Sequence, residues 1–524
     1  MPKVRPSLTS RRLHRVLTLR CTGAESYKHV ATIGTLSDAV LLVIFDFYQK
    51  DPSNIWEYYW HRLARVCHRW REIVFASPVR LHIEILCSFS TSVKKGLDIW
   101  PAFPIVINYP LCLPRYTEDD VIVALKHLNR VCKVSFTVTG SQLGTITALM
   151  EEPFPVLRYV RISPLSKDED MPALPAEFLG GSAPRLETFS LDRIPFPALP
   201  TLLLSASGLT TLCLKNIPSN GYISPEALVT CLATLSRLKI LGFGFQSASS
   251  RPDQIHPLPA TRANLPVLTS FEFRGASEYL EDLVCRIDCP YLQGIFIFYI
   301  SHQPVDFQTP QLSDFIDCSL GPKFAKCTYA QVTFCNAQVK FEFLNGANKA
   351  GPYWPSTTTI SCSYEENDWP DSHISQVVSQ FPVTFSDVVH LELVGDPYAE
   401  EFQFGDQEAG WFHLLRSFSN VKTLLVYRVL SGQVSLALEN FSGEMVNAVL
   451  PSLELFCLDS QREHPIEKFV AARHSDRPVT VVNTITEFCE KLASYSNDCP
   501  GPFIRGGPLT STPIIFRSHL PYNL

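Results

Sequence analysis

A short helical module followed by a long solenoid of parallel strands with outer helices and loops, an α/β chain, is the fold class this sequence predicts. Three observations carry it. Between Leu36 and Pro78 apolar residues recur with helical period. Further on, a unit of the form x-L-x-x-L-x-L returns at intervals of 23 to 30 residues, the mark of a stacked repeat. Across 524 residues, 46% are hydrophobic and 18% charged, a globular balance with enough apolar material for an extended core.

Residues 1–24 carry Lys3, Arg5, Arg11, Arg12, Arg15 and Arg20 and no acid. Such a segment reads either as an organellar transit peptide or as a solvated basic tail, and residues 1–30 are expected as a disordered tail. The helical module, residues 31–85, begins with a helix expected from Asp38 to Tyr48, with Ser37 or Asp38 as N-cap and Asp51-Pro52 as stop. On its wheel Val40, Val43 and Phe47 form one apolar stripe, and Leu41, Ile44, Phe45 and Tyr48 a second. Two further helices are expected, from Trp56 to Val66 and from Cys67 or His68 to Phe75. They can cover one stripe of the first helix. The other either faces the core of the same chain or docks on a second protein.

Leu36, then Ile44-Phe45, then Val66-Cys67-His68-Arg69-Trp70-Arg71 with Pro78 behind, resemble an F-box. F-boxes are three-helix modules that dock on the adaptor of SCF-type cullin ubiquitin ligases. Two positions depart from the family pattern. Ser37 stands where the family has Pro, and the link before Trp56, Tyr58, Tyr59 and Trp60 is lengthened around Asp51-Pro52-Ser53-Asn54. That lengthening resembles the variant F-box of large families in mushroom-forming fungi. The resemblance implies that Leu36, Val40, Leu41, Ile44, Phe45, Cys67 and Trp70 enter a groove of the adaptor.

After strand-like stretches at Leu81, Ile83, Ile85 and at 104–107, the repeat runs through Val131/Val134/Phe136, Leu157/Val160/Ile162, Leu186/Phe189/Leu191 and Leu209/Leu212/Leu214. It continues through Leu238/Leu241/Phe243, Leu268/Phe271/Phe273 and Leu292/Ile295/Ile297, with weaker copies at Val388/Leu391/Leu393, Val421/Leu424/Val426 and Leu453/Phe456/Leu458. Spacing and pattern are those of an irregular leucine-rich-repeat solenoid over residues 86–485. Each copy supplies one inward-facing parallel strand. The stretches between supply helices, for instance Glu118 to Leu128, Pro225 to Leu235 and Glu278 to Arg286.

Near 310–370 the repeat is interrupted. Residues 330–334 and 338–343 alternate like a hairpin around Cys335-Asn336-Ala337, and Thr358-Ile360-Cys362 like a third strand whose pairing stays open. A helix at 467–473 and a strand at 479–482 are expected to cap the array, and residues 486–524 to form a mobile Pro/Gly-rich tail.

The net charge of −6 lacks the basic domain of a nucleic-acid binder. The longest apolar runs, Ala39 to Phe45 and Ile295 to Ile300, fall far below the roughly 18 to 20 residues that span a bilayer. Neither nucleic acid nor membrane is expected as a partner. Sixteen cysteines without a C-x-x-C pair suit small buried hydrophobes in a reducing compartment, cytoplasmic or nuclear. No phosphate loop, zinc-protease helix or nucleophile elbow occurs. Gly242-Phe243-Gly244 lacks the third glycine and following helix of a dinucleotide fingerprint. His61 and His68 have no completing ligand set and are expected at the surface, and the acidic group Glu365, Glu366, Asp368 reads as a solvated loop.

The expectation is a non-enzyme with no cofactor and no metal: an SCF substrate receptor whose solenoid binds a client protein. The alternative is a scaffold with a degenerate F-box. Client contacts are expected between the buried leucines, at Tyr159, Arg161, Glu272, Phe296, Phe298 and Tyr427, since aromatics and Arg dominate interface energy.

Overall fold

The computed structural model describes residues 33–50, 59–78, 81, 85–87, 94, 97, 102–110, 118–166, 170–247, 262–301, 309–320, 328–335, 338–344, 357–364, 385–395, 407–459, 465–473 and 478–495. The chain divides into two compact units, 1–83 and 84–524.

Among its described residues the first unit holds three α-helices, α1 Asp38–Lys50, α2 Tyr59–Ala64 and α3 His68–Ala76. Ser37 starts α1: its Oγ accepts the Val40 N–H at 3.4 Å and its carbonyl the Leu41 N–H at 3.0 Å, so a serine supplies the cap that an initial proline would not. Cys67 does the same for α3, its Sγ accepting the Trp70 N–H at 3.5 Å. Residues 51–58, including Trp56 and the lengthened link, lie outside the described residues. Leu41, Phe45, Trp60, Leu63, Ala64, Ile73 and Val74 form the core. Within it Phe45 meets Trp70 at 4.7 Å between ring centroids, and Trp60 lies edge-on to His61 at 3.7 Å. His61 is therefore half-buried against Trp60 and not the fully exposed group the sequence suggests. Burial, reinforced by Arg65, pushes its imidazole down to about 4, because losing water disfavours the charged ring. His68 is exposed, 3.4 Å from Glu72 one turn on.

The second unit is an irregular leucine-rich-repeat solenoid built, among the described residues, on a 16-stranded sheet. Strands β1 Ile85–Cys87, β2 Ile105–Pro110, β3 Val131–Val138, β4 Tyr159–Pro164, β5 Thr188–Asp192, β6 Thr211–Ile217 and β7 Ile240–Phe245 follow one another in parallel. Ala263–Asn264 (β8) and Ile287–Asp288 (β10) form a separate parallel pair, and the main sheet continues from β7 through β9 Ser270–Gly275 to β11 Gly294–Ser301.

Every apolar position of the ten repeat copies is buried, none more than 6% exposed. Register is held by a continuous ladder. The residue after the first apolar position donates its N–H to the carbonyl one repeat back, from Arg158 to Cys132, Glu187 to Arg158, Thr210 to Glu187, Lys239 to Thr210, Thr269 to Lys239 and Gln293 to Thr269, each at 2.8 Å. Each parallel strand thus satisfies the backbone of the next, and the leucines between them fill the space under the outer helices. Those helices, Glu118–Leu125, Pro225–Leu232 and Ser277–Val284, stop about a turn before the apolar pattern does. Tight turns such as Leu235 N–H to Leu232 O at 2.9 Å carry the chain on to the next strand.

The interruption near 310–370 is taken into the same sheet. β12 Tyr329–Cys335 and β13 Gln338–Leu344 pair antiparallel, and β14 Thr357–Tyr364 pairs antiparallel with β13. β14 runs parallel to β11, and β12 runs parallel to β15 His390–Gly395. The three-strand meander therefore bridges the two repeat arrays without leaving an edge exposed. The solenoid resumes through β16 Thr423–Val426, β17 Leu455–Leu458 and β18 Thr480–Val482.

One boundary is corrected. Residues expected to open a mobile tail form the helix Ile485–Tyr495. Thr484 caps it, its Oγ accepting the Glu487 N–H at 3.2 Å. Phe488 and Leu492, one turn apart, pack on Leu425, Leu455, Cys457 and Val482. The breakers Pro500, Gly501 and Pro502 come only later, so the apolar spacing prevails up to Tyr495. Residues 496–524 lie outside the described residues.

Candidate functional site

Two surfaces stand out, one on each unit. In the first, the two stripes of α1 separate by burial. Leu41 and Phe45 are fully buried, whereas Val40, Val43, Ile44 and Phe47 are exposed by 44%, 44%, 38% and 72%. These four lie at i, i+3, i+4 and i+7, one continuous helical face. Water-facing apolar residues in a contiguous row are the informative exception on a protein surface.

The stripe's N-terminal approach is held by Arg69 of α3. Its Nε and Nη2 donate to Asp38 Oδ1 at 3.0 and 2.6 Å, its Nη1 to the Gly34 carbonyl at 2.8 Å and its Nη2 to the Leu36 carbonyl at 2.6 Å. One guanidinium thereby anchors the residues that enter α1, leaving Leu36 half-buried.

Of the seven residues assigned to the adaptor, Val40 and Ile44 lie in the exposed stripe, Cys67 is exposed at the α3 cap, and Leu36 and Trp70 are half-buried. Leu41 and Phe45 are corrected: at 0% exposure they are core residues that no partner reaches. Phe45 is consumed by its contact with Trp70 and cannot also be an anchor. Val43 and Phe47, absent from that assignment, complete the exposed stripe at i+3 and i+7 from Val40.

The second surface is the sheet face opposite the leucines. Register places Arg161, Ser190, Cys213, Gly242, Glu272, Phe296 and Thr359 in one row across seven strands. Lys133 and Tyr159 are register partners beside it, and Arg274 pairs with Phe298 on its other side. Tyr159, Arg161, Glu272, Phe296 and Phe298 are all half-exposed here. Tyr427 is not with them. It packs on the cluster under the helix Ile485–Tyr495, and is corrected from a client contact to part of the C-terminal cap.

Gly242 and Gly244 give this face its shape. With no side chain at these two positions of β7, Lys215 of β6 reaches over that strand to Glu272 of β9, 2.9 and 3.0 Å from its two carboxylate oxygens. A Cβ at Gly242 would stand 3.7 Å from Glu272 Oε2 and 3.4 Å from Cys213 Sγ, and one at Gly244 only 2.7 Å from the Arg274 Cβ. The lone G-x-G is thus a packing device for an ion pair that spans three strands. Arg274 stacks on Phe298 at 4.8 Å, a cation–π contact, and burial together with Arg193 pulls its guanidinium below the usual arginine range. Burial pushes the Cys213 thiol up to about 11, which leaves it a poor nucleophile.

Further along the sheet, Glu392 is 6% exposed and lies beside Tyr329. Burial raises its carboxyl above the ordinary range, and the neighbouring tyrosine hydroxyl draws it partly back. Among the described residues no three His, Cys, Asp or Glu side chains are placed to hold a metal ion, and no helix is long and apolar enough to cross a membrane. No disulfide joins the described cysteines. The acidic group at 365–368 lies outside the described residues.

No protein-family model matches the chain, and no curated protein matches it. Two solved structures align over most of its length at low similarity. The leucine-rich repeat-containing protein LegL7 from Legionella pneumophila is 12% identical at a TM-score of 0.23, over 74% of this chain and 96% of that one. A chain from the Rad7 and Elc1 complex in yeast is 11% identical at a TM-score of 0.24, over 86% of this chain and 94% of its own. Overlays this loose assign neither function nor partner.

Proposed function

We propose that the chain is a non-enzymatic substrate receptor: the three-helix unit is an F-box that docks on the adaptor of an SCF-type ubiquitin ligase, and the solenoid holds a client protein. The single observation that supports the docking half is the exposed stripe Val40, Val43, Ile44 and Phe47 on a helix whose opposite face is already buried. A helix laid into a groove reads i, i+3, i+4 and i+7 anchors, and this stripe presents them. Presenting the client's lysines beside the ubiquitin-loaded enzyme then raises effective concentration and needs no chemistry from this chain. A protein without disulfides among its described cysteines suits the cytoplasm or nucleus, where such ligases act.

The experiment is capture of a purified SCF adaptor by the full chain. Wild type retains it, and Ile44→Asp with Phe47→Asp loses it while the circular dichroism spectrum is unchanged. No association of wild type at micromolar concentration removes the ligase reading. The remaining reading is then an interaction scaffold with a degenerate F-box, favoured by Ser37, whose hydroxyl preserves the helix start without the rigid proline of the family pattern.

A further inference from the structure

The open sheet face between β3 and β11 is more basic than the chain that carries it. Its described charged side chains are Lys133, Arg161, Lys215 and Arg274 against Asp192 and Glu272, whereas the protein as a whole has a net charge of −6. The floor between them is small: Ser135, Ser163, Ser190, Cys213, Gly242 and Gly244. Tyr159 lies beside Arg161 at one end, and Phe296 and Phe298 border the other. Seven strands at about 4.8 Å spacing make the row roughly 30 Å long, the length of about nine residues of extended chain.

We infer that this face takes an extended acidic segment of the client, with carboxylates over Lys133, Arg161 and Arg274 and an aromatic or aliphatic side chain against Phe296. The inference rests on the receptor reading and adds the chemistry of its client. Charge complementarity selects the occupant. A surplus of cations attracts carboxylates, while Asp192 and Glu272 on the same face interrupt the unbroken basic track that the evenly spaced phosphates of a nucleic-acid strand need. Lys215 is already engaged by Glu272. Glu272 is therefore a competitor for the incoming acid, and its removal frees Lys215 for the client.

The test uses the full chain and a fluorescein-labelled nine-residue peptide with Glu at alternate positions and a central Phe, followed by fluorescence anisotropy. Saturable binding is expected, weakening severalfold as salt is raised from about 0.05 to 0.5 M. Lys133→Glu with Arg161→Glu, both at half-exposed positions, is expected to weaken it at least tenfold, and Glu272→Gln to tighten it severalfold. Equal binding of the peptide with Lys at the same positions overturns the inference. So does unchanged affinity in the double variant with an unchanged melting curve, or tighter binding of a nine-nucleotide oligothymidylate. Adaptor capture, run on the same preparations, separates the two claims. Capture without peptide binding overturns the acidic-client inference alone, and peptide binding without capture supports it while removing the ligase reading.

Discussion

Replacing Phe47 and Phe45 separately with alanine tests the partition of α1 into a docking face and a core face. Phe47 is 72% exposed and Phe45 is 0% exposed. Full burial of such a side chain is worth about 1.5 to 3 kcal/mol, so the share of Phe47 still available to a partner is about 1 to 2 kcal/mol, roughly a 5- to 30-fold loss in adaptor Kd on truncation. Its effect on folding should stay within about 0.5 kcal/mol, as for other surface positions. Phe45→Ala removes a ring packed 4.7 Å from Trp70 and should cost about 3 to 5 kcal/mol of stability, enough to unfold a module of this size. Adaptor affinity by calorimetry and the melting of the first unit by tryptophan fluorescence give the two readouts. Equal destabilisation by the two substitutions would refute the face assignment. A folded Phe47→Ala protein with unchanged Kd would refute the stripe as the docking surface.

Arg69→Ala removes four hydrogen bonds to Asp38, Gly34 and Leu36. Its partly exposed position keeps the expected cost near about 1 to 2 kcal/mol, with faster amide exchange at Leu36 to Val40; Lys should not rescue it, because a point charge cannot make the same fork of contacts. Gly244→Ala should lower the denaturant midpoint of the solenoid by about 1 to 3 kcal/mol equivalent, since its Cβ would stand 2.7 Å from the Arg274 Cβ and 3.1 Å from that residue's carbonyl. Gly242→Ala, whose nearest neighbour is 3.4 Å away, should cost less than half of that; a reversed order would refute the account of the two glycines. Glu392 titrates above its ordinary value because it is buried, so the folded state holds the proton more tightly than the unfolded. Its contribution to stability is retained at low pH and falls as pH rises from the ordinary carboxylate range through the raised value. Glu392→Gln should remove that fall. Denaturant midpoints between about pH 4 and pH 8 check it, and an identical pH slope in the variant would show the carboxyl to be irrelevant.

Periodicity alone was enough for the repeat register. Leu157, Val160 and Ile162 and their counterparts are buried because a parallel strand alternates its side chains and the chain returns one repeat later to the same depth. Local chemistry narrowed the helix starts to Ser37 or Asp38 and to Cys67 or His68, and the folded chain places the caps on Ser37 and Cys67, whose side chains meet unpaired N–H groups. Three things needed the tertiary structure. Which α1 residues face inward depended on where α2 and α3 lie, so Ile44 joined the exposed stripe and Phe45 the core. The meaning of Gly242 and Gly244 depended on strands β6 and β9, which contribute Lys215 and Glu272 from 57 residues apart in sequence. The place of Tyr427 depended on a helix that arrives from residue 485 onward to cover the sheet. Sequence determined which side of each element is apolar, because that is a property of spacing. Which apolar sides are covered, and by what, is a property of long-range packing that only the folded chain decides.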